Sequence, residues 1–304
     1  MSMRAALILA LFVVSVAAYG QPAEPLTVYT VNYPLGYFAT RIGGERIRVE
    51  FPAPVDGDPA YWTPNDEVVE AYRRADLVLL NGAGYARWVP DAMLPADKLV
   101  HTSAAFSDRL ISDAAMTMHS HDGGAEHSHG ADESGETTIA FTTWLDPRLA
   151  IAQASAIRDA LSLRDPGAAQ AFAAGFAALK ADLEALDSDL EALFAELGDT
   201  PVVFSHPVYQ YLQRRYSVNG ISVHWEPDQA PGDDAMIALS SKMIRHPAEI
   251  MFWESKPLME TADLLETWDV DSVVLDPCGN RPTDGDYLVV MQANVANLRA
   301  ALAD

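Results

Sequence analysis

Apolar residues recur every three or four positions along residues 165–198, a pattern typical of one long amphipathic helix. The spacing alternates between four and three through the whole stripe, which consists of Phe172, Phe176, Leu179, Leu183, Leu186, Leu190, Leu193 and Leu197. Asp165 suits the N-cap, Pro166 the first helical position and Gly198 the C-terminal end. At 1.5 Å per residue the helix would be roughly 45 to 50 Å long, more than the diameter of a small domain.

A stripe of this kind has two interpretations, a coiled-coil dimer or a helix that lies across two domains of one chain. The flanking sequence favours the second, because short apolar strands alternate with helical patterns on both sides. The predicted strands are 26–31, 46–51, 76–81 and 98–102 before the helix, and 201–204, 221–225, 249–253 and 272–275 after it. The predicted helices include 33–42, 66–74, 233–245 and 257–268.

This alternation predicts an α/β protein, in which each of two lobes has a mostly parallel sheet flanked by helices. The N-terminal lobe would comprise residues 21–164, the linker helix 165–198 and the C-terminal lobe 199–304. Ligands of such sheets bind beyond the carboxyl ends of the strands, so the cleft between the lobes is the expected site. We expect a monomer.

The first 20 residues have the pattern of an export signal. Residues 5–18 form an apolar run after Arg4, and small residues precede Gln21, which predicts cleavage near Gly20. The run of about 14 residues is short of the roughly 20 needed to cross a bilayer. No cysteine stands near the cleavage point, and the single cysteine, Cys278, cannot form an internal disulfide. We therefore expect a periplasmic protein without a lipid anchor.

The formal net charge of −23 at pH 7 disfavours nucleic acid as a partner and favours cations. The sequence also lacks the motifs of common enzyme classes, such as HExxH, a phosphate-binding glycine loop or a Ser-His-Asp grouping. We therefore expect a binding protein rather than an enzyme.

Four of the eight histidines, His119, His121, His127 and His129, lie within the polar segment 116–138. Imidazole binds zinc and its first-row neighbours, and glycine-rich flanks let such ligands converge. The segment is interpreted as an accessory metal-collecting loop. A solvated polar insert without metal is the alternative.

Two further candidate ligands stand where strands of the second lobe end. His206 follows the strand 201–204, and Asp276 follows the strand 272–275. Parallel strands end at one edge of a sheet, so both side chains should emerge together. One imidazole and one carboxylate make half of a tetrahedral zinc site or part of a manganese site. A helix-capping histidine and a turn-forming aspartate are the alternatives.

Short motifs follow one another along the chain in a specific order. They are Val31-Asn32-Tyr33-Pro34-Leu35, Gly57-Asp58-Pro59, Thr63-Pro64, Ala75-Asp76-Leu77-Val78, Asn81-Gly82, Trp144-Leu145-Asp146-Pro147, Ser205-His206, residues 252–254 and Asp276-Pro277. In these motifs the chain resembles the periplasmic solute-binding proteins of zinc and manganese ABC importers, the cluster A-I or zinc-uptake type. The resemblance extends over nearly the whole mature chain.

The resemblance implies two α/β lobes joined by a rigid helix, with a metal ion held between them and delivered to a membrane permease. Zinc is the expected cargo, and manganese or another divalent metal is possible. The family holds its metal with three histidines and a terminal acid. His206 and Asp276 match the last two of these ligands, whereas the first two positions fall on Ala60 and Thr143.

Alanine cannot bind a metal, and a neutral threonine hydroxyl is a poor zinc ligand. The replacements considered are Cys278, His224 and Glu226, together with the His-rich loop. The side chains expected to line the cleft are Tyr61, Trp62, Thr143 and Trp144. Two alternative functions stay open: a receptor for a metal chelate or small organic solute, and a periplasmic metal buffer or chaperone that acts through the loop.

Overall fold

The chain folds into two lobes that have the same strand order. A computed structural model describes residues 24–112 and 139–303. Lobe 1 contains a four-stranded parallel sheet with the order β2-β1-β3-β4, and lobe 2 contains a four-stranded parallel sheet with the order β6-β5-β7-β8. The prediction of two α/β lobes with parallel sheets and a long helix is confirmed.

The elements of lobe 1 are β1 (Leu26–Thr30), α1 (Tyr33–Gly43), β2 (Ile47–Glu50), α2 (Asp66–Arg74), β3 (Leu77–Leu80), β4 (Leu99–His101) and α3 (Pro147–Arg164). Helix α4 (Ala169–Leu197) follows. Lobe 2 comprises β5 (Val202–Phe204), α5 (Gln210–Tyr216), β6 (Gly220–Ser222), α6 (Asp233–Met243), β7 (Ile250–Trp253), α7 (Met259–Glu266), β8 (Asp271–Val274) and α8 (Tyr287–Ala301). Short 3-10 turns, including Thr143–Leu145 and Pro166–Ala168, connect some of these elements.

Helix α4 lies across both lobes. It packs on α1 and α3 of lobe 1 and on α5 and α8 of lobe 2. Every residue of its apolar stripe is buried except Phe176, which is partly buried under the guanidinium of Arg158. The stripe therefore stabilises the join between the lobes within a single chain.

The N-terminal end of α4 differs from the expected one. Asp165 ends α3 instead of capping α4, and its carboxylate accepts hydrogen bonds from Arg46. Pro166 opens a 3-10 turn, and α4 begins at Ala169 with no side-chain cap. Asp165 is also the residue before this 3-10 turn, and Arg46 together with the backbone N–H groups of Gly167 and Ala168 lowers the pKa of its carboxyl group.

One close contact fixes where α4 crosses α1. A Cβ atom at Gly175 would lie 2.6 Å from the carbonyl oxygen of Ile42 and 2.8 Å from that of Arg41. These distances are shorter than van der Waals contact, and both neighbours are backbone atoms. The two helices can approach this closely only because residue 175 has no side chain.

A buried carboxylate on α4 also ties the lobes together. Asp187 accepts hydrogen bonds from Arg148 of α3 and from Arg215 and Tyr216 of α5. Burial alone would raise the pKa of Asp187, but these donors outweigh it and the pKa is lowered. Among the described residues, no helix is long and apolar enough to cross a membrane.

Candidate metal centre

The carboxyl ends of the lobe 2 strands bring four polar side chains to one edge of the sheet. His206 follows β5, Glu226 follows β6, Glu254 comes directly after β7, and Asp276 follows β8. This is the edge at which parallel α/β sheets bind ligands. The edge therefore offers one imidazole and three carboxylates.

His206 is held between two of these carboxylates. Its Nδ1 atom lies 2.9 Å from Oε1 of Glu254, and its Nε2 atom lies 3.5 Å from Oε1 of Glu226. Burial would lower the pKa of His206, but Glu254, Glu226 and Asp58 raise it above its ordinary value. The imidazole is thus oriented by Glu254, while Glu226 lies near the other ring nitrogen.

Asp58 supplies a carboxylate from lobe 1. Burial raises its pKa, the backbone N–H of Ala60 and the charge of His206 act in the opposite direction, and the charge of Glu254 raises it further. Asp58 therefore lies close enough to the lobe 2 edge to interact with both side chains. Sequence reasoning did not select it, although it stands in the Gly57-Asp58-Pro59 motif that carries the family resemblance.

Asp276 occupies a firmly held stretch of backbone. Its N–H donates to Oδ1 of Asn294 at 2.9 Å, and its carbonyl oxygen accepts from Nδ2 of Asn294 at 2.7 Å. Its Oδ1 atom accepts from the N–H of Cys278 at 2.7 Å. Burial and the nearby charge of Glu254 raise the pKa of Asp276. Asp58 of lobe 1 and Asp276 of lobe 2 thus both lie close enough to Glu254 for its charge to raise their pKa values. A bound cation would reduce the repulsion among these three carboxylates.

Within residues 24–112 and 139–303, no three His, Cys, Asp or Glu side chains converge into a group that could hold a metal ion. The candidate donors Glu226, Asp58 and Asp276 lie around His206 but are too far apart to bind one ion together in this conformation. Carboxylate side chains can change rotamer, so coordination requires local rearrangement around His206 and not a new fold.

The replacement ligands predicted from the sequence fall in different places. The ring of His224 lies edge-on to that of His206, with centroids 5.6 Å apart, and Glu226 faces the same ring. Cys278 is buried, and its Sγ atom lies 4.0 Å from the carbonyl oxygen of Asn280. Burial first, and then Asp276 and Asp286, raise the pKa of its thiol well above the ordinary value.

Ala60 and Thr143, the positions at which the resemblance implies two further histidines, lack an imidazole. Ala60 is buried, and the hydroxyl of Thr143, also buried, donates to Oδ1 of Asn81 inside lobe 1 at 3.4 Å. Its neighbour Thr142 donates instead to the carbonyl oxygen of Val208 in lobe 2, two residues beyond His206. Thr142 precedes the 3-10 turn Thr143–Leu145 and Thr143 begins it, and their two hydroxyls donate to different lobes.

The aromatic residues expected in the cleft divide into two kinds. Trp144 is buried, and its Nε1–H donates to the carbonyl oxygen of Pro277 at 2.7 Å, so it packs between the lobes. Tyr61 is 55% exposed and, with Trp62 and Asp58, lines an open cavity of about 230 Å³. Tyr85, which was not predicted, has a buried hydroxyl near Asp58 without a hydrogen-bond partner among the described residues.

The four histidines of the His-rich loop lie outside the described residues. The chain on either side of that segment is described: Ser112 pairs with Ile139 in an antiparallel bridge. The hydroxyl of Tyr211 accepts from the N–H of Ile111 at 3.2 Å and donates to the carbonyl oxygen of Ala140 at 2.8 Å. Helix α5, which follows His206, therefore holds both ends of the segment.

Known proteins share this architecture over most of its length. The Zn(II)-bound ZnuA-like domain of AdcA from Streptococcus pneumoniae superimposes with a TM-score of 0.74 at 20% identity, covering 92% of this chain and 100% of that one. The metal-dependent lipoprotein YcdH from Bacillus subtilis gives 0.74 at 19% identity, covering 92% of this chain and 98% of that one. At these identities the likeness shows the fold alone.

Sequence comparison gives the family. The zinc-binding lipoprotein AdcA of Streptococcus pneumoniae is 25% identical over 298 residues, covering 95% of this chain, which spans 58% of AdcA. The manganese-binding lipoprotein MntA of Halalkalibacterium halodurans is 25% identical over 208 residues, covering 68% of this chain and 62% of MntA. Residues 28–301 match the family model ZnuA, described as zinc-uptake complex component A, periplasmic, and the chain belongs to this family.

Proposed function

We propose that this protein captures a divalent metal ion between its two lobes and delivers it to the membrane permease of an ABC importer. One observation carries the proposal: Glu254 engages Nδ1 of His206 and leaves Nε2 beside Glu226. Metal-binding histidines commonly donate one ring N–H to a carboxylate while the other nitrogen binds the metal. The contact between Nδ1 of His206 and Glu254 matches the first half of this arrangement, and Nε2 is the nitrogen proposed to bind the metal.

The remaining donors come from the carboxylates around His206. Glu226 would replace one of the missing imidazoles, Asp276 would bind from the end of β8, and Asp58 would bind from lobe 1. In this proposal Glu254 positions the imidazole and does not bind the metal. The family membership and the metals named for AdcA and MntA support a divalent metal as the ligand.

Zinc is the proposed cargo and manganese the alternative. Zinc accepts imidazole and carboxylate ligands, usually four of them, whereas manganese accepts sites richer in oxygen. A set with one imidazole and three carboxylates is compatible with either metal. Measured affinities for the two ions will decide between them.

The four loop histidines, His119, His121, His127 and His129, are proposed to collect metal as an accessory element. We further propose export to the periplasm through cleavage of residues 1–20, no lipid anchor, a monomeric state and no catalytic activity or nucleic-acid partner. The long helix between the lobes favours small shifts and local ordering over wide hinge opening.

A second candidate function is binding of a metal chelate. The open cavity of about 230 Å³ beside Asp58, with Tyr61 and Trp62 in its lining, favours it. Aromatic faces would pack against the organic part of such a ligand. In that case a bare ion would bind weakly and a chelated ion tightly.

The test is metal titration of the purified mature protein with zinc and with manganese, in competition with a chelator of known affinity. The wild type is compared with His206→Ala and with a variant that lacks residues 117–130. The proposal predicts binding tighter than micromolar that His206→Ala abolishes and the deletion retains. Binding that survives His206→Ala but is lost with the deletion would assign metal binding to the loop and overturn the proposed site.

A further inference from the structure

The segment that follows Asp276 contacts lobe 1 through four of its residues. The carbonyl oxygen of Pro277 accepts from Nε1 of Trp144, and that of Gly279 accepts from the N–H of Tyr33 at 3.3 Å. Asn280 and Arg281 then bond to the lobe 1 segment 51–58. This connection begins at one candidate metal ligand, Asp276, and reaches the segment that ends at another, Asp58.

Asn280 makes the densest of these contacts. Its Nδ2 atom lies 2.8 Å from the carbonyl oxygen of Pro54, 3.0 Å from that of Val55 and 3.0 Å from that of Gly57. An amide nitrogen carries only two hydrogens, so three converging acceptors surround a single donor group. The turn of segment 54–57 is therefore wrapped around the Asn280 side chain.

The other groups of this region hold Asn280 in place. Its Oδ1 atom accepts from the N–H of Arg281 at 2.8 Å, which orients the amide so that the nitrogen faces lobe 1. The guanidinium of Arg281 donates to the carbonyl oxygen of Ala53 at 3.0 Å and lies over the ring of Phe51. Gly57, the last of the three acceptors, has a φ of 99° and directly precedes Asp58.

We infer that Asn280 is a positioning residue: by holding the 54–57 turn, it places the Asp58 carboxylate of lobe 1 against His206 and Glu254 of lobe 2 and slows the departure of bound metal. The inference rests on the proposed function, because it assigns Asp58 to the metal site. Asn280 itself does not touch the metal. Its effect passes through the backbone from Gly57 to Asp58.

Substitutions at Asn280 can separate hydrogen-bond donation from simple packing. Asn280→Asp preserves the shape and the acceptor for the N–H of Arg281 but turns a carboxylate oxygen toward three carbonyl oxygens, whereas Asn280→Ala removes the donor, that acceptor and the packing of the amide. If hydrogen-bond donation holds the 54–57 turn, Asn280→Asp should loosen the turn more than Asn280→Ala does. If packing alone holds it, Asn280→Asp should leave the turn as it is in the wild type. Asn219→Ala is the matched control, since Nδ2 of Asn219 also donates to a backbone carbonyl, that of Asp199, at 2.9 Å but away from the site.

The first measurement uses metal-free protein. Hydrogen–deuterium exchange of peptides covering residues 51–62 should increase in Asn280→Ala and increase further in Asn280→Asp, with no change in Asn219→Ala. Unchanged exchange in both Asn280 variants would overturn the inference. This result does not depend on whether the wild type binds metal, so it is distinct from failure of the proposed function.

The second measurement is the rate at which a chelator removes bound zinc. Each lost hydrogen bond should raise that rate by about two- to tenfold. In an Asp58→Asn background, Asn280→Ala should have little further effect, because both changes remove the same contribution. Increased exchange with an unchanged zinc release rate, or full additivity with Asp58→Asn, would overturn the positioning role.

Discussion

Nδ1 of His206 lies 2.9 Å from a carboxylate oxygen of Glu254, and both residues follow neighbouring strands of the lobe 2 sheet. The strands β5 and β7 pair directly, so the backbone fixes this contact. The same carboxylate lies near Asp58 and Asp276, whose pKa values it helps to raise. Glu254 is therefore at the centre of the candidate site without being one of the proposed ligands.

Glu254→Gln should weaken zinc binding by about 10- to 100-fold, the scale on which loss of a supporting partner affects metal affinity. The neutral amide can still accept a hydrogen bond but makes the imidazole a weaker ligand. The measurement is a chelator competition assay against the wild type. The matched control is Glu260→Gln, an exposed position on α7, which should bind as the wild type does. An affinity equal to that of the wild type would count against the positioning role of Glu254.

Zinc affinity should depend on pH in a range set by His206. The pKa of His206 is raised by Glu254, Glu226 and Asp58 in spite of burial, and the metal requires the deprotonated ring. Apparent affinity should therefore begin to fall at a pH above about 6.5, the ordinary value for histidine, and continue to fall as the pH decreases. Dissociation constants measured from about pH 5 to about pH 8.5 test this.

The same pKa shift predicts how the stability of the metal-free protein depends on pH. A folded-state pKa above the unfolded value contributes stability below about pH 6.5 that is lost as the pH rises through the folded-state pKa.

Glu254→Gln should move the fall in zinc affinity to lower pH. A zinc-binding curve that is flat across the whole range would contradict the assignment of His206.

Ala60→His should strengthen zinc binding by about tenfold or more, because it adds an imidazole two residues from Asp58, at the position where the resemblance implies a histidine ligand. Ala60 is buried, so the added bulk alone could disturb the site. Ala60→Leu controls for this, since leucine adds comparable bulk without a metal-binding group. Equal affinities of the two variants would show that residue 60 does not approach the metal.

Asp187→Asn should destabilise the protein by about 2 to 4 kcal/mol, because it removes the carboxylate shared by two guanidinium groups and leaves the largely buried Arg215 with its 3.5 Å contact to Glu191. The lowered pKa of Asp187 means that its stabilising contribution is present above about pH 3.9 and is lost as the pH falls through the folded-state value. Thermal or urea unfolding measures the effect. Asp189→Asn, an exposed change on the same helix, should stay within about 0.5 kcal/mol.

Much of the fold could be predicted from local patterns. Continuous apolar runs predicted the strands, because such runs reflect burial on both faces. The apolar stripe predicted the long helix, because a stripe reflects burial on one face. The exact start of α4 could not be predicted, because residues 166–168 form a 3-10 turn before the α-helix begins at Ala169. The apolar spacing and the capping residues do not distinguish a 3-10 turn from the first turn of an α-helix.

Only those residues of the candidate site that follow strands of a parallel sheet could be predicted from the sequence. His206 and Asp276 stand at strand ends, so a parallel sheet brings them to one edge. The roles proposed for Asp58 and Asn280 depend on contacts between the two lobes, and no periodicity in the chain encodes those contacts. Thr143 shows the reverse case: its position in a motif suggested the cleft, but a 3-10 turn directs its hydroxyl to Asn81.

Gly175 lets α4 lie directly against the backbone of α1. Where α4 crosses α1, the two backbones meet with no side chain between them, and any larger residue would have to push the helix away from lobe 1. Since lobe 2 packs on the far half of α4, that small displacement would be carried along the helix to the mouth of the cleft. The separation of the lobes at the cleft should thus depend partly on the side chain that is absent at this helix crossing, well away from the candidate ligands.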